Sequence, residues 1–294
     1  MAKIRLFFYL GLEALFPVAY MCRMALIDEK LTQITPRPMG RVNTLGLWTL
    51  YNREVKRFLN VFTQTLMAPV ITTLLFLAVF ALALGGLDRT VGGVDYITFL
   101  APGLMMMTMT QNSFANTSSS ILIAKVQGNI VDILMPPLAP WEMTLAIAAG
   151  GITRGLMVGL TVFIAMMFFL PISVAHPFSV IWFAINACMM LSLLGMLGGI
   201  WAQKYDHIAA VTNFIITPLS FLSGTFYSID RLPEAWVAVA HFNPFFYMID
   251  GFRYGFIGHA DGNVMIGHLL LPVVNLLLWL GTHRLISTGY RLKA

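Results

Sequence analysis

The sequence predicts an all-α, polytopic membrane protein with six transmembrane helices, and three observations predict it. Hydrophobic residues make up 58% of the 294 residues and charged residues 11%, against about 25% charged in soluble domains. With a mean hydropathy of +0.79, the chain lacks the polar side chains to coat a water-exposed surface. Charge-free intervals recur along it, each long enough to cross a hydrocarbon core of roughly 30 Å at about 1.5 Å per residue. Lys and Arg also divide unequally between alternate connections, as short loops on the cytoplasmic side collect them.

Residues 1–42 form an N-terminal extension and linker. Leu6–Cys22 is apolar apart from Glu13, contains Pro17 and is flanked by Arg5 and Arg23. As a seventh span it would carry Lys3 and Arg5 to the outer side, against the charge rule. It is expected instead to lie in the interface, unless Met39 is the true start. A cleavable signal peptide is not expected, for no small-residue site precedes a polar mature start. Thr32–Arg41 is a polar linker with Pro36 and Pro38. Residues 43–60 follow as a cytoplasmic surface helix, because LGLWTLYNREVKRF (Leu45–Phe58) alternates apolar and basic positions at helical spacing.

Residues 61–294 make the transmembrane domain. No charge falls between Phe58 and Leu87, placing the first span at about 61–85, and none between Tyr96 and Ala124, the second. The third runs from about Trp141 to Leu170 through Arg154; the fourth, fifth and sixth occupy about 178–201, 208–227 and 264–283. With the N-terminus inside, fourteen of the 18 Lys and Arg face inward, while Arg89, Arg231 and Arg253 face outward and Arg154 lies within a span. Both termini are therefore expected in the cytoplasm. Asn243–Gly258 (NPFFYMIDGFRYGFIG) is apolar enough to enter a bilayer but too short to cross it, with Asp250 and Arg253 in its middle. Such a run is re-entrant or interfacial, and its backbone must be buried in protein or line a watery cavity.

Several function classes drop out. No Gly-Lys dipeptide occurs, so a phosphate-binding P-loop cannot form, and His-Glu-x-x-His and Gly-x-Ser-x-Gly are absent. Cys22 and Cys188 lie in apolar stretches, without disulfide or metal spacing. The net charge of +5 reads as a membrane flank rather than a nucleic-acid surface, because half of the basic residues precede position 60. The methionines at 105, 106, 107 and 109 resemble a soft copper site, yet consecutive positions point to different helix faces. They are read as packing.

Three features remain as candidates. The loop Lys125–Trp141 is cytoplasmic on the charge count, and an amphipathic helix from about Val126 to Leu134 would end at Pro136-Pro137. It is either a docking element or a simple surface loop. Arg154, about a dozen residues into the third span, should face protein or water. It serves either a pathway or a structural pair. Gly151, Gly155 and Gly159, with Gly195 and Gly199 in the next span, are packing faces. The uncharged polar run Gln111–Ser120 lines a pathway or bonds neighbouring helices.

Taken together, these residues resemble the ABC-2 type exporter permeases, above all the small six-span permeases of the nodulation and multidrug type. The resemblance covers roughly residues 43–294 and rests on the basic surface helix, Pro102-Gly103-Leu104, the Lys125–Pro140 loop, PLSFLSGTFY (Pro218–Tyr227), Leu232-Pro233, Asn243-Pro244 and the pattern Tyr247, Gly251, Phe252, Arg253. It implies two permease copies in a membrane, each bound to a separate ATPase subunit that holds ATP and Mg, so that this chain is not an enzyme and carries no cofactor of its own. Lys125, Gln127, Asn129, Asp132 and Leu134 would form the ATPase-coupling loop. Ser228–Gly258 would be a re-entrant helical hairpin before the last span, its outer gate including Asn243, Pro244, Tyr247, Asp250 and Arg253. Cargo (a drug, lipid or lipid-linked glycan) would leave the cell along the dimer interface, built largely from the first, second and fifth spans. The rival is an ion-gradient-driven secondary transporter, which would call for internal repeats and midplane carboxylates; no acidic residue lies in mid-span. Asp250 and Arg253, three apart, are expected to neutralise each other.

Overall fold

The computed structural model describes residues 40–84, 90, 91, 93–229, 233, 237 and 240–292. The chain divides into two compact units, Met1–Val42 and Asn43–Ala294; the helices below all belong to the second. The helix expected at Leu6–Cys22 lies outside the described residues, as does most of the stretch between Ile229 and Ala240 expected to form the first arm of the hairpin.

Helix α1 (Thr44–Leu59) starts where the Asn43 side chain accepts the Gly46 amide, and its buried stripe is Leu50, Glu54 and Phe58. Leu45 and Trp48 stay exposed on the opposite side. One π-helical turn, Thr63–Met67, then leads into α2 (Ala68–Leu84). The Thr65 hydroxyl back-bonds to the carbonyls of Phe58 and Val61 at 3.0 Å each, a local donor that suits a widened turn. A two-residue hairpin pairs β1 (Thr90–Val91) with β2 (Val94–Asp95) and delivers the chain to α3 (Tyr96–Val126).

After α3, Gly128 takes a left-handed φ of 75°, so the chain turns before the short α4 (Ile130–Leu134). The expected helix from Val126 is thus broken at its start: α3 itself runs to Val126, and the turn begins there. Helices α5 (Pro140–Met167) and α6 (Pro177–Trp201) both open on proline, whose missing N–H is no loss in a first turn. Next come α7 (Tyr205–Val211), a second π-helical turn (Thr212–Ile216) and α8 (Thr217–Leu222), which form one continuous helical segment. It ends five residues before the expected Tyr227, because Gly224 at φ 78° reverses the chain. Helices α9 (Pro244–Ile257) and α10 (Val264–Thr288) complete the unit, each followed by a glycine at positive φ, Gly258 and Gly289.

Among the described residues, four segments are long and apolar enough to cross a membrane: Thr63–Ala83, Pro140–Met167, Pro177–Trp201 and Val264–Thr288. Helix α3 has the length, at 31 residues, but its Ser, Thr and Asn residues lower its apolarity. Several of the hydroxyls bond to main-chain carbonyls. Thr110, Ser113 and Ser118 return hydrogen bonds to the carbonyls of Met106, Met109 and Phe114, and Thr117 reaches Ser192 O at 2.8 Å.

Helix α3 packs chiefly on α5 and α6, with α9 closing over its first half. Polar contacts sort the helix ends into two sets. At one, Lys125 Nζ reaches the carbonyls of Ile200 and Ala202 at 2.6 Å each, Arg291 reaches Trp201 O at 3.2 Å, and Asn43 Nδ2 reaches Pro137 O at 3.2 Å. At the other, the His176 amide meets Gly255 O at 2.8 Å and the Tyr96 hydroxyl meets Phe226 O at 3.0 Å. The chain therefore shuttles between two faces.

Candidate functional site

The glycine stripes set the site's geometry. A Cβ on Gly155 would collide with Ser113 Oγ and lie 2.7 Å from Cys188 Sγ and 3.0 Å from Met109 O; one on Gly195 would collide with Thr117 Oγ1 and lie 2.5 Å from Phe114 O. These glycines let α5 and α6 press their backbones against α3, the close approach that small residues permit in membranes. The polar run on α3 is thereby divided. Ser113, Thr117 and Ser118 turn into the packed seam and are fully buried, while Gln111, Asn112 and Ser119 face an open cleft.

That cleft has a volume of about 670 Å³ and is bounded by the Thr63–Met67 turn, α2, α3 and Arg154 of α5. Arg154 donates from Nη2 to Asn112 Oδ1 at 3.0 Å, and its buried Nε has no partner. Just behind the wall lies a second cationic group. Arg57 Nη1 donates to Ser119 Oγ at 3.2 Å, and its Nη2 donates to Asn116 O at 2.7 Å, Asn116 Oδ1 at 2.9 Å and Glu54 Oε2 at 3.2 Å. The other Glu54 oxygen accepts from Ser120 Oγ at 2.8 Å, and Glu54 is fully buried. It fits because Gly150 on α5 leaves room for its side chain, where a Cβ would lie 2.6 Å from Glu54 Cβ.

In the Lys125–Pro140 loop, Gln127, Asn129, Asp132 and Leu134 are exposed, while Ile130 and Ile133 pack inward. Val126, Val131 and Met135 add exposed apolar surface, Met135 at 76%. Lys125 is different. Its ammonium is engaged with carbonyls at the end of α6, a cation at a helix C-terminus, and so it acts inside the protein. The loop's exit is tied down by Glu142, whose Oε1 accepts the Asn43 amide and Oε2 the Ala139 amide, both at 2.7 Å. One carboxylate thus caps α5 and holds the entry of α1.

The short helix α9 is walled in on almost every side, Phe245–Arg253 being buried without interruption. Asn243 caps it by accepting the Phe245 amide at 3.0 Å and donates to Ser223 Oγ at 2.8 Å; Pro244 is its first residue. Tyr247 packs beside Phe246, ring centroids 5.1 Å apart. Asp250 and Arg253 do not pair, contrary to expectation. Asp250 accepts the Asp261 and Gly262 amides at 2.9 Å each, while Arg253 donates to Gly224 O at 2.6 Å and lies 3.8 Å over the Phe99 ring. Backbone groups from two other segments outcompete the neighbour on the same helix. Gly103 makes room for this arrangement, since a Cβ there would lie 2.6 Å from Thr225 O and 3.2 Å from Arg253 Nη2.

The Glu54–Arg57–Asn116 network lies outside every sequence expectation, although Glu54 and Arg57 at i,i+3 were a signal for it. Among the described residues no group of three or more His, Cys, Asp or Glu converges as a metal site would.

Residues 46–257 match the family described as ABC-2 type transporter. The chain is 36% identical over 250 residues to the "Inner membrane transport permease YadH" of Escherichia coli strain K12, covering 85% of this chain and 98% of that protein. It is 28% identical over 255 residues to "Nodulation protein J" of Rhizobium leguminosarum bv. viciae, covering 81% and 92%. To the protein of the same name from Neorhizobium galegae it is 24% identical over 243 residues, covering 81% and 90%.

Proposed function

Because the chain belongs to the ABC-2 type transporter family, whose permeases work with an ABC ATPase subunit, we propose that it is the membrane subunit of an exporter. Its cargo is a hydrophobic or amphipathic molecule, such as a drug, a lipid or a lipid-linked glycan, moved outward across an inner membrane. Two copies pair and each docks a separate ATPase chain. The protein is a multi-pass membrane protein, and we read six spans in it: the four most apolar segments, α3, and the Tyr205–Leu222 segment. Both termini lie in the cytoplasm on the charge count. The residues before position 43 make an accessory N-terminal segment, and α9 is the second arm of an outer re-entrant hairpin whose residues Asn243 to Arg253 hold the gate.

The observation that carries this reading is the form of the Lys125–Pro140 loop. It offers exposed Val131, Asp132, Leu134 and Met135 while Glu142 binds its base to α1 and α5. An apolar ridge on a rigid base can take a push from a partner and pass it to the helices, and ATP-dependent contacts there would favour one arrangement of the permease over another.

Asp132→Arg and Val131→Pro change exposed positions and should leave the melting temperature of the purified permease unchanged. Each should cut permease-stimulated ATP hydrolysis by the partner at least tenfold in liposomes. Lys125 is not a fair test of docking, because reversing its charge would also strip the cap from α6. ATP hydrolysis by the isolated chain, or uptake driven by an ion gradient without the ATPase, would overturn the proposal.

A further inference from the structure

We propose that the cleft beside Arg154 is a binding site for the anionic head of an amphipathic cargo, with Arg154 as the residue that receives it; this rests on the permease reading above and narrows its substrate class. Arg154 stands at the middle of the 28-residue α5. Roughly 20 Å separates it from either helix end at about 1.5 Å per residue, too far for its side chain to reach water by snorkelling. A cation at such depth is expected to meet a carboxylate or an aqueous path. Among the described residues, the ion pairs are Arg57 with Glu54 and His259 with Asp261. Neither involves Arg154. Its neutral partner is Asn112, and its buried Nε stays unpartnered.

The cleft supplies the rest of a site. No carboxylate lines it among the described residues, and Arg154 is its one charged wall residue. Thr72, Thr108, Gln111 and Asn112 offer neutral donors and acceptors, while Phe76 and Met107 offer apolar surface. Its volume of about 670 Å³ falls inside the range of about 300–1,000 Å³ typical of small-molecule sites. Behind the wall, Arg57 holds Ser119 Oγ with its charge already met by Glu54, which leaves Arg154 as the cation that faces the pocket. A carboxylate, phosphate or sulfate head would find its counter-charge here and a chain or ring its apolar wall. A cationic amphiphile would meet Arg154 unshielded.

The test uses the purified full-length permease in phosphatidylcholine nanodiscs, where no anionic lipid competes, with decyl phosphate, decyl maltoside, decyltrimethylammonium and inorganic phosphate as probes. Decyl phosphate should bind at least tenfold more tightly than the other three. Arg154→Gln should abolish that preference and Arg154→Lys retain most of it. Should Arg154→Gln fail to fold, Gln111→Glu, which sets a carboxylate in the same cleft, should weaken decyl phosphate binding at least tenfold and leave decyl maltoside unaffected. Equal binding of decyl phosphate by the wild type and Arg154→Gln, or by the wild type and Gln111→Glu, would overturn the proposal. So would equal affinity for decyltrimethylammonium, and equal affinity for inorganic phosphate would remove the amphipathic class. The measurement needs no ATPase, so a failure of coupled transport leaves its outcome standing, and the converse.

Discussion

Glu54→Ala should lower the stability of the membrane domain by about 3–5 kcal/mol, the cost of removing one partner from a buried ion pair. Glu54 is fully buried, and its carboxylate takes hydrogen bonds from both Arg57 and Ser120. Without it, Arg57 keeps Asn116 and Ser119 as neutral partners, and α1 loses the Ser120 hydrogen bond that ties its carboxylate to α3. The partial exposure of Arg57, at 28%, favours the lower end of the range. About 3 kcal/mol corresponds to a drop of roughly 6–12 °C in melting temperature, readable by intrinsic fluorescence of the detergent-solubilised permease. The double variant Glu54→Leu, Arg57→Met removes both charges and should recover most of the loss. A single variant that melts like the wild type would show that the pair is not structural.

Gly155→Ala should be the more damaging of two chemically identical changes. Its new methyl would press on Ser113 Oγ, on Cys188 Sγ and on the main-chain oxygen of Met109. The last cannot move unless α3 moves. Overpacking of this kind costs about 1–3 kcal/mol or more, and here α3, α5 and α6 would all be pushed apart. Gly159→Ala, one turn further along α5, has side-chain atoms of Met109 as its nearest contacts. A methionine can repack, so that variant should lose under about 1 kcal/mol. Equal melting temperatures for the two would mean that the helices are looser at Gly155 than the close contacts imply.

Features whose deciding partner is near in sequence were legible in the sequence, and those with a distant partner were not. The ends of α9 were legible, since Asn243 caps it, Pro244 opens it and Gly258 closes it, all through contacts within a few residues. The opening of α6 at Pro177 was legible for the same reason. Arg253 was not, because its partners, Gly224 O and the Phe99 ring, lie in other segments. Spacing shows that Asp250 and Arg253 can meet; it cannot show that three backbone groups elsewhere bind them better. Lys125 failed in the same way. Its place in an exposed loop suggested an outward role, whereas the end of α6 captures it from 75 residues away. Glu54 sits in a basic stretch that reads as a membrane-surface helix, and the glycine that makes room for it is Gly150, on another helix.

The hydrogen bonds of Asp250 also bear on how the protein folds. Both amides that satisfy its carboxylate, those of Asp261 and Gly262, lie beyond the end of α9 and immediately ahead of α10. A buried carboxylate without those donors is poorly tolerated, so α9 cannot hold its seat until the turn that follows it has folded back. The connection to α10 is therefore not a passive linker, and the two helices are expected to take their places together.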